Sequence, residues 1–422
     1  MQNNQAILVL TGSNGDRQEY WQELADMVGS VNCASSDCVT RELLLHEPIV
    51  IVDLTSDVED GALEHVVRAS PGYPDRTNIV ICLANDRFSL STSVLSDAVL
   101  PDAVLPDAVL PDAVLTAPCP VDVMAGTVNQ LRRLFTQEQE LWMRHEALET
   151  IGLGVSPSTV NAVDDHKSVL IVGPASLSDL FETASNEKIT FVTVPTLSAA
   201  ANYMNWHNFS LAVVQIHDQF GETDVQDIQS VLKNIPLIIS MPDFDDLRQL
   251  EFYDQGALDV VAGSTGSADL HARVEVSLQY SERVDRSKAG LAKTKLDLSS
   301  LPNTDKKAFV DTYRAILMDQ LPGSSSMQSV SFEAYPSSDA PMAQDLSDQA
   351  IEGIQSVLAI AMRDEDLSLF IGEDQVLTIL AGTDKSGAAV ALRRIAAILK
   401  TTDLPATQDG QKIRVSLGGN NR

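Results

Sequence analysis

Arg363 and Asp366 stand three residues apart, and a further arginine, Arg394, lies in the next helical stretch, Gly387–Leu399. An arginine fork donates two parallel hydrogen bonds to O6 and N7 of a guanine, the geometry used to read G in a DNA groove. A carboxylate accepts from guanine N1–H and N2–H. At three-residue spacing on a helix end or tight turn the two groups point the same way. A second arginine suits a ligand with more than one base or phosphate. The plainer alternative is a local Arg363–Asp366 ion pair, worth only ~0.2–0.5 kcal/mol.

After Asp366 come five residues, LSLFI, and then Gly372-Glu373-Asp374-Gln375-Val376. This register resembles the GGDEF family of diguanylate cyclases, in which R-x-x-D sits five residues before G-G-[DE]-E-F. The family's opening motif, D-x-L-T-x-L-x-N-R-R, is similar to Leu296–Phe309: Leu298, Leu301 and Asn303 match and Ser299 stands for the threonine. Leu296 holds the leading aspartate position, and Thr304 and Asp305 replace the two arginines. The resemblance implies a cyclic di-GMP inhibitory site at Arg363, Asp366 and Arg394.

It also implies what has been lost. Cyclase chemistry needs two metal ions to activate a 3′-hydroxyl and hold a triphosphate. The metal-binding aspartate position that ends the first strand of the domain in active cyclases falls, read without gaps, at Ser331, and the family's guanine- and phosphate-contacting positions fall at Asp339, Asp348 and Pro336. Glu373 puts a charged side chain where the backbone should approach phosphate closely, and Gln375 removes another acid. The expectation is a protein that binds cyclic di-GMP as a regulatory ligand, with no catalytic residues, no metal and no cofactor. A weakly active cyclase and a ligand-free scaffold are the alternatives.

The formal charge of −30 on 422 residues argues against nonspecific nucleic-acid binding, which needs basic patches. It also repels a dianionic ligand, so binding must come from local arginines. The length suggests about three domains. No apolar run is long enough to span a bilayer, and the first residues, MQNNQAILVL, lack the pattern of a signal peptide. Four cysteines (Cys33, Cys38, Cys82, Cys119) lack zinc spacing, which points to thiols in a reducing cytoplasm.

Ahead of the C-terminal domain (295–422) the chain alternates apolar strands and helices twice, in 1–150 and 166–285. The first stretch reads as strands Ala6–Leu10, Pro48–Leu54, Asn78–Ala84 and Asp112–Pro118, with helices Gln18–Val28, Gly61–Ala69 and Val121–Arg144. The second repeats the pattern from Ser168. Such alternation implies parallel sheets covered on both faces. The expected fold class is α/β: two doubly wound, flavodoxin-like domains followed by a nucleotidyl-cyclase-like α/β domain.

Both stretches resemble response-regulator receiver domains. In the first, Asp53 holds the phospho-acceptor position, but Thr11 and Gly12 replace the magnesium-binding acids and Ala117 the lysine. Too few oxygen ligands remain for Mg²⁺, so Asp53 is either an acceptor or a structural carboxylate. In the second, Gln215 replaces the acceptor, Gly173 and Pro174 the acidic pair, and Gly263 the lysine. The D-A-V-L repeat between Asp97 and Leu115, with Pro101, Pro106 and Pro111, cannot form a continuous helix; its last copy is the expected fifth strand.

Receivers of this kind often pair through their fourth helix, fifth strand and fifth helix, so the resemblance implies a homodimer. Eroded members that keep R-x-x-D further imply a cytoplasmic adaptor, located at the cell pole, whose partners are protease adaptors and a cell-cycle regulator.

Overall fold

The computed structural model of the chain describes residues 7–11, 17–29, 31–35, 49–53, 79–84, 111–153, 167–182, 189–216, 225–232, 235–242, 246–320, 326–335, 348–371, 375–383, 385–401 and 412–418. The helix expected at Gly61–Ala69, the linker Gly154–His166 and all but the last D-A-V-L copy lie outside them.

The first sheet is built from β1 (Ile7–Thr11), β2 (Val31–Ser35), β3 (Ile49–Asp53), β4 (Ile79–Ala84) and β5 (Ala113–Thr116). All strands are parallel, in the order β2-β1-β3-β4-β5. Ile7–Leu10 and Ile49–Asp53 are buried along their whole length, as befits the central strands of a parallel sheet. Helix α1 (Gln18–Val28) turns Trp21, Leu24 and Val28 inward. It stops at Gly29, whose φ of 108° is a conformation that glycine adopts without steric cost. The long helix α2 (Val121–Thr150) follows β5.

The same winding recurs with β6 (Lys167–Val172), α3 (Ala175–Glu182), β7 (Ile189–Val194), α4 (Leu197–Tyr203), β8 (Leu211–Gln215), α5 (Val225–Val231), β9 (Leu237–Met241), α6 (Asp246–Asp254) and β10 (Asp259–Ala262). The sheet order β10-β9-β8-β6-β7 is the first sheet's order read from the other edge, and both are the flavodoxin-like order 2-1-3-4-5. Helix α7 (Ser267–Ser300) closes this part and runs on for 34 residues.

The C-terminal part contains α8 (Asn303–Gln320), β11 (Ser326–Tyr335), α9 (Asp348–Ala361), β12 (Leu367–Phe370), β13 (Gln375–Leu380), α10 (Lys385–Thr401) and β14 (Lys412–Gly418). Its sheet is antiparallel, in the order β12-β13-β11-β14. Side chains alternate across it with period two. Phe370, Val376 and Leu380 pack on α9 and α10. Leu367, Leu369, Leu377 and Ile379 pack on Phe309, Tyr313 and Leu317 of α8. Met143, Ala147 and Leu148 from the end of α2, and Leu298 of α7, complete that second face.

The chain divides into two compact units, and the division cuts both long helices. One unit takes in Arg133–Val160 and Val284–Arg422; the other takes in Asn4–Arg132 and Asn161–Arg283. Within the latter the two parallel sheets meet where β5 and β10 run close together. Arg273 Nη1 of α7 donates to Asp259 Oδ2 at 2.9 Å and to the Val114 carbonyl at 3.5 Å, and Arg283 pairs with Asp112. The fifth-strand and fifth-helix face that the receiver resemblance implies for homodimerisation is therefore engaged inside this chain. A buried guanidinium holds it by reaching a carboxylate on one sheet and a strand carbonyl on the other.

Among the described residues no helix is long and apolar enough to cross a membrane. The described cysteines, Cys33, Cys82 and Cys119, are free, and burial pushes the Cys119 thiol up to about 12.

Candidate functional site

Helix α9 ends at Ala361, and the Met362 N–H still donates to the Leu358 carbonyl at 3.0 Å. The chain then has to reverse into β12, and Asp366 makes that turn. Its Oδ2 accepts from the Arg363 N–H at 3.0 Å, and its own N–H donates to the Arg363 carbonyl at 3.2 Å. Its Oδ1 accepts from the Ala381 N–H, just past β13, at 3.1 Å. Short acidic side chains favour such local bonds to the backbone in turns.

Asp366 is only 5% exposed, and burial raises its pKa, against the lowering effect of the Arg363 N–H bond. This departs from the expectation of a carboxylate presented to a ligand beside Arg363: both oxygens already accept from backbone N–H groups that the fold must satisfy. Arg363, by contrast, is exposed.

Arg394, exposed on α10, extends its Nη2 to the Ala361 carbonyl at 2.9 Å. The contact offsets an unsatisfied carbonyl at the end of α9, and it brings the second arginine to the same turn as the first. A third cation arrives from α7: Lys295 Nζ donates to the Arg363 carbonyl at 3.2 Å. Burial lowers the pKa of Lys295, and Arg144 adds to that effect. Neither Lys295 nor Glu365, the buried residue inside the turn, is legible as a site residue from spacing alone.

Gly372, Glu373 and Asp374 of the signature loop lie outside the described residues. Gln375 and Val376 begin β13. The antiparallel register sets Ser331 directly opposite Gln375 and also opposite Ser416. The two positions where the family resemblance expects acids are thus strand partners, and both carry neutral side chains. Ser331 lies inside β11, which continues to Tyr335. Asp339 and Pro336 lie outside the described residues, and Asp348 is the first residue of α9.

In the first flavodoxin-like fold Asp53 ends β3 with its side chain fully buried, and Arg17 Nη1 stands 3.5 Å from its Oδ2. A guanidinium thus faces the carboxylate. In the second fold Gln215 ends β8. A Cβ on Gly173 would lie 3.2 Å from Gln215 Cβ, and one on Gly263 would lie 3.0 Å from the Met241 carbonyl oxygen. A side chain at Gly263 would press on the Met241 carbonyl and Pro242 backbone, so glycine fits this close approach best. Another concavity, a cavity of about 250 Å³, is lined by residues including Asp112, Asp259, Arg273 and Tyr253. Arg273 there pairs with Asp259, and Tyr253 donates to the same carboxylate.

No family model matches the chain, and no curated protein matches it. Solved structures do. A probable two-component system response regulator/GGDEF domain protein is 14% identical, with 66% of this chain and 99% of that chain covered at a TM-score of 0.25. A putative two-component system response regulator/GGDEF domain protein is 16% identical over 66% of this chain and 99% of its own, with a TM-score of 0.26. An orphan response regulator of H. pylori is 21% identical over 26% of this chain and 96% of its own, with a TM-score of 0.24. The strand orders of the chain itself define the fold described above.

Proposed function

We propose that this protein is a catalytically inactive effector that binds cyclic di-GMP on the turn after α9. Arg363 and Arg394 are the guanine- and phosphate-recognising arms, and Asp366 holds the turn that presents Arg363. The observation that carries this reading is the 2.9 Å bond from Arg394 to the Ala361 carbonyl, which gathers the two arginines at one place on an otherwise acidic chain. The pairing of Ser331 with Gln375 across the strands supports inactivity, since a metal-dependent cyclase needs carboxylates there.

Two receiver-like folds, an eroded signature loop and a kept R-x-x-D resemble the effector PopA. That likeness extends the proposal to a cytoplasmic, pole-localised adaptor that acts with protease adaptors on a cell-cycle regulator, as a homodimer formed away from the β5–β10 face that is engaged within the chain.

Calorimetric titration of cyclic di-GMP into the parent and into Arg363→Ala tests the ligand. Loss of a bidentate arginine–guanine contact should cost about 1–3 kcal/mol of affinity. A parent that does not bind at moderate salt refutes the effector reading and leaves a receiver-based scaffold. Turnover of GTP with Mg²⁺ refutes the inactive reading.

A further inference from the structure

Glu365 is the odd member of a highly charged turn. Arg363 and Asp364 are exposed, whereas Glu365 is 2% exposed. Its Oε2 accepts from Gln137 Nε2 at 3.1 Å, and its Oε1 lies 3.5 Å from Arg133 Nε. Its backbone carbonyl accepts from Arg144 Nη2 at 2.5 Å. Arg144 is fully buried and is held in turn by Glu140, Nε to Oε1, at 2.9 Å. Tyr313 of α8 donates its hydroxyl to Glu140 Oε2 at 2.6 Å.

Residues 133, 137, 140 and 144 follow helical spacing and lie along one side of α2. That side is therefore a polar stripe directed at one residue of the turn. Burying charges is costly until pairing offsets it, and an apolar stripe would have packed without that cost. What the polar stripe adds is direction: three donors fix both the side chain and the carbonyl of Glu365. Lys295 fixes the Arg363 carbonyl from α7.

We infer that Glu365 is a positioning residue, which sets how Arg363 is presented by clamping the turn to the C-terminal half of α2. This rests on the cyclic di-GMP reading for its ligand arm, while the clamp itself is measurable without ligand. Binding and clamping are linked reciprocally: ligand on Arg363 tightens the turn against α2, and the clamp strengthens ligand binding.

The experiment uses the full chain, with hydrogen exchange and cyclic di-GMP calorimetry on the parent, Glu365→Gln, Arg133→Ala, Arg363→Ala and the Glu365→Gln/Arg363→Ala double variant. Glu365→Gln should speed exchange in 137–144 and 363–366 and weaken cyclic di-GMP about tenfold. Arg133→Ala, at an exposed partner, should do the same more weakly and keeps the test open if Glu365→Gln folds poorly. In the Arg363→Ala background the Glu365 change should cost nothing further, because its route to the ligand is gone.

Unchanged exchange in both single variants overturns the clamp. Faster exchange with unaltered affinity overturns the positioning role, as does a full additional loss in the double variant. A parent that binds no cyclic di-GMP sinks the ligand reading instead, and the exchange data then decide the clamp alone.

Discussion

Arg144 and Arg273 are the same device used in two regions. Each sits on a long helix, is buried, and pairs with an acid one turn earlier: Glu140 for Arg144, Asp269 for Arg273. Each then reaches beyond its helix, Arg144 to the Glu365 carbonyl and Arg273 to Asp259 and the Val114 carbonyl. The difference is in what they neutralise. Arg273 serves two carboxylates; burial works against its charged form, but Asp259 and Asp269 outweigh that and raise its pKa. Arg144 serves one carboxylate, which also accepts from Tyr313, and spends its other contact on a turn. The first arginine joins two sheets, and the second holds a loop at a candidate ligand site.

The comparison is broken most severely by Arg273→Met. It removes the cation shared by buried Asp259 and partly exposed Asp269, and removing one partner of a buried pair costs about 3–5 kcal/mol; the upper end is expected here. Arg144→Met should lie at the lower end of the same range, about 3 kcal/mol, because it leaves one carboxylate, Glu140, rather than two without the guanidinium. Urea unfolding of versions that retain only Trp206 or only Trp142 reads the two regions separately. A larger loss for Arg144→Met than for Arg273→Met would reverse the ranking.

A smaller effect sharpens the contrast by pH. Burial lowers the pKa of His145, next to Arg144, below its ordinary 6.5, with Glu149 opposing the shift. A group that folds preferentially neutral adds stability above its unfolded pKa and loses it as pH falls through the folded one. The Trp142 transition should therefore weaken on acidification below pH 6.5, and His145→Gln should remove that component. The Arg273 guanidinium stays charged across this range, so its own pairing should not contribute the same slope. A slope that survives His145→Gln would assign it to another group.

Much of the architecture was readable because it is local. The short, β-branched apolar runs at Ile7–Leu10, Ile49–Val52 and Val169–Val172 read as buried strands by their length and composition, and the amphipathic stretch Gln18–Val28 and strand Ser326–Tyr335 have the bounds expected of them. Strand β2, VNCAS, carries too weak an apolar pattern to announce itself, and it forms because β1 offers a parallel edge. Helix α2 runs past Arg144 to Thr150 because Ala147 and Leu148 find a core that is distant in the chain.

By itself the sequence determined the alternation of strands and helices, the neutral residues Ser331 and Gln375, and the presence of Arg363, Asp366 and Arg394 at a telling spacing. These follow from local periodicity and residue chemistry. Only the tertiary structure decided that Asp366 builds its turn while Arg363 stays exposed, that Arg394 reaches Ala361, and that Glu365 is buried against α2. Those facts depend on which backbone groups a turn must satisfy and which distant helix covers it, and no local pattern encodes either.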